Sequence, residues 1–383
     1  MFVKIYNVFL YVLCFLIPLF DYKLLKINFD KFIVIVMFII SFKYFNLKFL
    51  KNNKLLFNFL FIISFLLYCV FSILFVKNKY EAIKQLIDFM ECFVLFYSIM
   101  LFADKRAIKI SFLFFLSSIF LSLFYGLIQL IFRLSPYTQE GVIRVYSTYV
   151  NPNYWGAILN FVIFLPIVEM IYKRNIMLSR VILLLLILIN LMFTLNRSSW
   201  IAFVLGLIFV FLNFNKKFWF VSLFYILILL MFPYTRSRLL SLLYINKWID
   251  NSRLKLWKMA LIIFKEYFWF GVGLGNYKDY YLDYIKKYPY LIVSKNYWSP
   301  HNSYLRVFAE MGVIGGIMLI LIYLSLLYLV IKNNNNKIFY LSLLGAWIAY
   351  LFQNNFNSLI YVHRVNILIW IFTAFYLKYT REV

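Results

Sequence analysis

Cysteine and histidine are scarce in this sequence, which has three cysteines and two histidines in 383 residues. Cys14, Cys69 and Cys92 each fall inside an apolar run, so the long polar segment of the chain contains no disulfide and no thiolate metal site. His301 and His363 stand apart in the sequence, and the acidic residues are scattered. No cluster has the spacing of a metal-ligand set, so we expect no metal and no other cofactor.

Acidic residues are also few, because 14 Asp and Glu stand against 39 Lys and Arg, a formal net charge of +25. In a soluble protein this excess would suggest a nucleic-acid partner. Here, however, hydrophobic residues make up 65% of the chain and the mean hydropathy is +0.86, as in membrane proteins. Much of the positive charge falls in short loops, where it sets orientation in the membrane. We therefore expect membrane lipids as partners and no nucleic acid.

Apolar runs account for nearly all of the chain, and a run of about 20 residues crosses a bilayer. The sequence predicts an all-α, polytopic membrane protein of about 12 transmembrane helices. The predicted spans are 2–20, 32–47, 55–76, 82–103, 110–133, 152–172, 178–195, 199–213, 218–234, 304–331, 338–356 and 364–378. The first span lacks a small-residue cleavage site after it, so we interpret it as a retained helix.

Positive residues in the short loops predict the orientation, because cytoplasmic loops retain them. An N-terminus in the cytoplasm places most loop charge inside, at Lys48, Lys51, Lys54, Lys105, Arg106, Lys109, Lys173, Arg174, Arg180, Lys216, Lys217, Lys332 and Lys337, with Lys378 and Arg381 in the C-terminal tail. Four lysines oppose this trend, Lys23, Lys26, Lys77 and Lys79. Both termini are thus predicted to be cytoplasmic.

One polar insertion, residues 235–304, interrupts the pattern between spans 9 and 10. With no internal repeat and no long linker, residues 1–383 are interpreted as a single membrane domain that contains this large extracytoplasmic loop. The loop includes an amphipathic helix from Ser252 to about Trp269, whose apolar side is predicted to carry Leu254, Trp257, Leu261, Phe264 and Phe268. Arg253 falls on that apolar side, where a cation needs an anionic partner.

Amides and both histidines gather toward the outer ends of the spans, at Gln129, Asn153, Asn160, Asn190, Asn196, Gln353, Asn354, Asn355, Asn357, His301 and His363. Polar groups in hydrocarbon are costly unless they line a cavity or bond one another. The asymmetry favours a polar chamber that opens outward. The alternative is the ordinary polarity of interfacial helix ends.

Two candidate cations precede the long loop. Arg144 lies seven residues before Asn151, which is placed to cap a helix that begins at Pro152. Arg197 lies on a short turn between two spans, where it has little freedom to swing away. Each arginine could instead contact solvent or lipid headgroups.

The chain re-enters the membrane through a second motif-rich segment at 300–316. His301 lies at the outer mouth and can accept a proton near neutral pH. Arg306 and Glu310 are four residues apart and are predicted to form an ion pair. On the fourth span we expect Lys84 to pair with Asp88, with Glu91 as a buried acid and a proton relay as the alternative. Gly271-Val-Gly-Leu-Gly275 follows a helix and is interpreted as a turn.

Taken in order, these motifs resemble the O-antigen ligase and O-antigen polymerase superfamily over most of the chain. The resemblance rests on Asn151-Pro-Asn153, Asn196-Arg197-Ser198, Ser252-Arg253 with Trp257 before the glycine-rich turn, and His301-Asn302 with Glu310 and Gly312. It implies a fold similar to lipid-dependent, GT-C-like glycosyltransferases in the bacterial plasma (inner) membrane. It also implies a metal-independent, inverting reaction.

The resemblance further implies a donor oligosaccharide on undecaprenyl diphosphate. Arg144, Arg197 and Arg253 would hold the diphosphate, and His301 would activate the acceptor hydroxyl with Arg253. The supporting residues would be Asn151, Asn153, Asn302 and Glu310.

The expected function is polymerisation of O-antigen or capsular polysaccharide repeat units, in which the acceptor is a lipid-linked repeat unit and a chain-length regulator takes part. One alternative is an O-antigen ligase, which would transfer the glycan to lipid A core or a cell-wall glycan in lipopolysaccharide synthesis. The other is a transporter or flippase of lipid-linked glycans, which would not require His301. The missing repeat and the structured outer loop disfavour transport.

Overall fold

The computed structural model describes residues 2–19, 29–43, 53–139, 141–173, 177–214, 219–241, 252–294 and 299–380. Its described part is almost entirely helical. The helices before the long loop are α1 (Phe2–Leu19), α2 (Phe29–Lys43), α3 (Asn53–Ile73), α4 (Lys79–Phe102), α5 (Lys105–Ile131), α6 (Pro152–Val162), α7 (Phe164–Tyr172), α8 (Leu178–Phe193), α9 (Arg197–Phe214) and α10 (Trp219–Met231). A short antiparallel hairpin of β1 (Thr138–Gln139) and β2 (Val142–Ile143) follows α5.

The remaining helices belong to the loop and to the last part of the bundle. They are α11 (Pro233–Leu240), α12 (Ser252–Glu266), α13 (Tyr277–Lys287), α14 (Ser303–Ile331), α15 (Lys337–Gln353) and α16 (His363–Thr380). Two single 3-10 turns lie at Pro289–Leu291 and Leu359–Tyr361.

Helix α16 lies at the centre of the bundle, and most of its side chains are buried. Its Trp370 ring contacts Phe93 and Phe96 of α4 and Tyr323 of α14. On another side, Phe372 packs edge-on against Phe115 of α5. A helix that is apolar on all sides is stable only when other elements surround it. Here α16 is packed between α4, α5 and α14.

Five described helical segments are long and apolar enough to cross a membrane: Lys54–Ile73, Lys79–Phe102, Lys105–Ile131, Pro152–Tyr172 and Ser303–Ile331. A sixth would be the pair Leu223–Met231 and Pro233–Leu240, which are bent by 112° relative to each other. Large apolar side chains on α3 and just beyond it face outward, among them Leu67 and Phe75 at 66% and 74% exposure. These features support a multi-pass membrane protein, and the count of 12 spans stays a prediction.

Parts of the sequence-based scheme lie outside the described residues. These are the charges at Lys23, Lys26, Lys48, Lys51, Arg174, Lys216, Lys217 and Arg381, and residues 242–251 and 295–298 of the long loop. The predicted span 152–172 is described and is interrupted at Ile163, which separates α6 from α7.

Helix α14 is broken at Gly312, whose φ of 63° and ψ of −169° are not helical. The segment that follows α12 crosses this break. The carbonyls of Phe268 and Trp269 accept hydrogen bonds from Val313 and Ile314, the first amides after the break. In return, Val272 and Gly273 donate to the carbonyls of Ala309 and Glu310. The backbone groups freed by the break are therefore satisfied by a second strand of chain.

Glycine is required on both sides of this crossing. A Cβ on Gly312 would lie 2.3 Å from the Trp269 carbonyl oxygen, and a Cβ on Gly271 would lie 2.4 Å from the Glu310 carbonyl oxygen. The predicted turn at 271–275 is thus present, and its backbone packs against the non-helical Gly312 of α14. The part of α14 before Gly312 packs against helices of the long loop, and the part after it continues in the main bundle.

Helices α12 and α13 and the first part of α14 enclose a small second core. The side of α12 buried in this core carries Leu256, Met259, Ala260 and Ile263. The predicted apolar side is a different one: Leu261 and Phe268 on it are about 40% exposed, as on a side that lies against a membrane. The helix is apolar on two adjoining sides, and packing against α14 selects the side with the smaller residues.

The amides near the outer ends of the spans are mostly buried and hydrogen-bonded between elements. Gln129 accepts from the amide of Ser147 and donates to its carbonyl. Asn190 accepts from the Trp155 indole, and Asn354 accepts from the Ser303 hydroxyl. Gln129, Asn190 and Asn354 are buried and bonded to other elements, so these three amides do not line an open chamber.

Candidate active site

Arg144 lies directly after β2 and is held at both ends of its guanidinium. Its Nε donates to the carbonyl of Thr194 at 2.9 Å, and its Nη2 donates to Oδ1 of Asn153 at 2.9 Å. Its own amide donates to the Tyr137 carbonyl across the hairpin. The side chain is therefore fixed in place, with Asn153 as a positioning residue.

Asn151 has the capping role expected from the sequence. Its Oδ1 accepts from the amide of Asn153 at 2.8 Å, and Pro152 occupies the first turn of α6. The cap fixes the position of Asn153 and, through it, of Arg144.

Arg197 is the first residue of α9, on the turn that also contains Thr194. Its Nη1 donates to the hydroxyl of Ser241 at 2.9 Å, which joins this turn to the end of α11. Next to it, Ser198 accepts from Asn357 Nδ2. Arg144 thus contacts one end of this short turn, at Thr194, and Arg197 lies at its other end.

Arg253, at the start of α12, interacts electrostatically with all three other candidate groups. Burial and then the charge of Arg197 lower the pKa of Arg253. Burial and then the charge of Arg253 lower the pKa of Arg144 to about 10. The same two causes lower the pKa of His301 to about 4. The structure therefore brings Arg144, Arg197, Arg253 and His301 into one electrostatic neighbourhood.

His301 adopts an uncommon backbone conformation, with φ at 51°. A positive φ is unfavourable for a residue with a side chain and is frequent at functional sites. Its amide donates to Ser299 Oγ at 3.4 Å, and Ser299 shares a 2.7 Å hydrogen bond with Ser358. At neutral pH the imidazole is uncharged, which is the form that can accept a proton.

Asn302 and Glu310 have structural roles. Asn302 caps α14, since its Oδ1 accepts from the Leu305 amide at 3.0 Å. Glu310 is fully buried, accepts from Arg306 Nε at 2.9 Å and accepts from the Gly275 amide at 3.1 Å. The predicted Arg306–Glu310 pair is present. These residues hold the segment after His301 and the glycine-rich crossing in place.

On the fourth predicted span, the partner predicted for Asp88 was wrong. Asp88 pairs with Lys31 of α2, while Lys84 lies 3.6 Å from Glu81. The buried acid Glu91 is 3.0 Å from Nε2 of His363. Long-range partners such as Lys31 and His363 leave no signal in local spacing, so the sequence could not show this group.

Two comparisons with known proteins each match part of the chain. Residues 182–320 match the family model described as O-Antigen ligase. An uncharacterized protein of Haemophilus influenzae is 35% identical over 85 residues, which are 22% of this chain and 21% of that one.

The matched family segment includes Arg197, Arg253 and His301 and the crossing at Gly271 and Gly312. Arg144 and the cap at Asn151 precede it. Over residues 182–320 the chain is therefore similar to the O-Antigen ligase family, in agreement with the resemblance of its motifs.

Proposed function

We propose that this protein is a glycosyltransferase that moves a glycan from an undecaprenyl diphosphate carrier to an acceptor sugar hydroxyl at the outer face of the membrane. The acceptor that we favour is a lipid-linked repeat unit, so the protein would be a polysaccharide polymerase. The observation that supports this most is the grouping of Arg144, Arg197 and Arg253 with His301.

Three guanidinium groups suit a diphosphate leaving group. When the glycosidic carbon leaves its phosphate oxygen, negative charge builds up on the diphosphate. Guanidinium groups bind such oxygens bidentately and keep their own charge. Repulsion among the three arginines is relieved when the anion binds, which favours the diphosphate at this place. They would supply the charge that a divalent ion supplies in other transferases.

His301 would act as the general base. Its imidazole takes the proton of the acceptor hydroxyl while the hydroxyl oxygen bonds to the anomeric carbon and the carbon–phosphate oxygen bond breaks. Attack from the face opposite the diphosphate inverts the configuration. The bound diphosphate offsets the charge of Arg253, so His301 holds the proton more readily during the reaction than in the free protein.

The test is an assay of the purified full chain with an undecaprenyl diphosphate-linked oligosaccharide, without added divalent metal. Arg253→Lys and His301→Gln should each lower the turnover rate by about 100-fold or more. Lys258→Ala, on the exposed side of the same helix, is the matched control and should keep the wild-type rate.

The products separate the candidate functions. A ladder of lengthened glycans from the wild type alone supports the polymerase. Transfer only after a separate lipid A core acceptor is added would show a ligase. Movement of the lipid-linked glycan across vesicles without any transfer would overturn the enzymatic proposal in favour of transport.

A further inference from the structure

A second group of ionisable side chains lies within the helical bundle. Asp88 and Glu91 are one turn apart on α4, and His363 is the first residue of α16. One ligand atom from each of the three lies within 4.8 Å of the other two. Residues distant in the chain thus bring two carboxylates and an imidazole together.

Glu91 is the group that requires explanation. Its side chain is 5% exposed, and among the described residues neither of its oxygens accepts a hydrogen bond of normal geometry. Its Oε2 faces Nε2 of His363 at 3.0 Å. Lys31 contacts Oδ1 of Asp88 and so leaves the second oxygen of that carboxylate for another partner. A buried carboxylate is costly unless a cation balances it.

The chemistry of the three groups is that of a transition-metal site. Carboxylate oxygen and imidazole nitrogen bind Zn²⁺ at about 2.0–2.2 Å, usually with four ligands in a tetrahedron. Such ligand atoms lie roughly 3.4 Å apart by that geometry, so small side-chain rotations would close the present spacing. Asp88 and His363 are 16% and 13% exposed, so the group is not sealed from the surface.

We propose that Asp88, Glu91 and His363 bind one divalent transition-metal ion, with Zn²⁺ as the ion that this ligand set favours. The ion would join α4 to the start of α16. The 3-10 turn before His363 also contacts the candidate active site. The Ile360 amide of this turn donates to Oγ of Ser303, which lies two residues after His301. The role of the metal is structural, and the site is independent of the proposed glycosyl transfer.

A proton is the competing occupant. Protonated His363 would also balance Glu91, and it would do so through the same nitrogen that binds the metal. Metal affinity therefore falls as the pH is lowered, by about tenfold per unit while one proton is displaced. This competition gives the experiment a second readout.

The test measures Zn²⁺ bound by the purified full chain, by elemental analysis and by titration after treatment with a chelator. The wild type should bind one equivalent, with lower affinity at pH 6 than at pH 8. Glu91→Gln and His363→Gln should each weaken binding by at least 100-fold. Glu169→Gln removes a carboxylate of 12% exposure that pairs with Lys173 and Arg180, so it should leave zinc binding unchanged.

A second measurement replaces Zn²⁺ with Co²⁺ in the wild-type protein, so its result does not depend on whether a variant folds. Wild-type protein should show the visible absorption of a tetrahedral cobalt site. No stoichiometric zinc and no cobalt spectrum in the wild type would overturn the proposal and leave an ion pair of His363 with Glu91. Equal zinc binding by the wild type and Glu91→Gln would also overturn it.

Discussion

At the scale of single residues, the structure explains what the side chains of the candidate site contact. The sequence indicated Arg144, Arg197, Arg253 and His301 as candidates because their positions match family motifs. It could not show that Asn153 and Ser241 hold two of these arginines, since those contacts depend on the fold. The predicted ion pair of Lys84 with Asp88 was wrong for the same reason, because Lys31 of α2 is the cation that pairs with Asp88.

The charge of Arg253 leads to a prediction about pH. The pKa of His301 is about 4 in the free protein, lowered by burial and by Arg253. We expect kcat/KM to stay constant from pH 8 to about 5 and to fall only near pH 4. The acid limb of kcat should lie at higher pH, because bound diphosphate raises the pKa of His301. A fall of kcat/KM beginning near 6.5 would contradict this.

The same group affects stability with a defined sign. The unfolded chain has an ordinary histidine pKa of about 6.5, so it takes up a proton before the folded protein does. The contribution of His301 is therefore complete above pH 6.5 and is lost as the pH falls from 6.5 to 4. Thermal unfolding of His301→Gln in detergent should lack this part of the pH dependence.

At the scale of elements, the glycine-rich crossing links the outer loop to the bundle. The sequence predicted most helices with small shifts at their ends, because apolar length is a strong local signal. It did not show that α14 is broken at Gly312, since the break depends on backbone contacts with Phe268 and Trp269. The sequence also did not show which apolar side of α12 packs against α14, because both sides suit burial and only tertiary contacts choose between them.

The crossing predicts that Gly312→Ala is severely destabilising. Its φ and ψ suit glycine alone, and the added Cβ would meet the Trp269 carbonyl at 2.3 Å. We expect a loss of more than about 3 kcal/mol and loss of activity. Gly141→Ala is the control, because Gly141 has φ +78° with no atom within 4 Å of the added Cβ. It should cost about 1–2 kcal/mol. Similar melting temperatures for the two variants would contradict the role of the crossing.

At the scale of the whole molecule, composition alone predicted an all-helical membrane protein, and the described structure confirms this. The orientation remains a prediction, since it depends on loop charges that fall partly outside the described residues. The orientation decides whether the candidate site faces the lipid-linked glycan, because Arg253 lies on α12 of the long loop and interacts with Arg144, Arg197 and His301.

This orientation predicts which positions react with a membrane-impermeant maleimide in intact cells. Cys14, Cys69 and Cys92 are buried, so background labelling should be low. Lys278→Cys, exposed on α13, should be labelled, and Lys105→Cys, exposed at the start of α5, should react only after the membrane is opened. Labelling of Lys105→Cys alone in intact cells would reverse the topology and place the site in the cytoplasm.

The central position of α16 has a consequence for how the protein is made. Its partners α4, α5 and α14 are all synthesised before it. Until residues 363–380 leave the ribosome, Phe93, Phe96 and Phe115 lack the Trp370 and Phe372 rings that they contact in the finished bundle. Assembly in the membrane is therefore completed from the periphery inward, and a chain stalled before Trp370 remains an unfinished substrate for membrane chaperones and proteases.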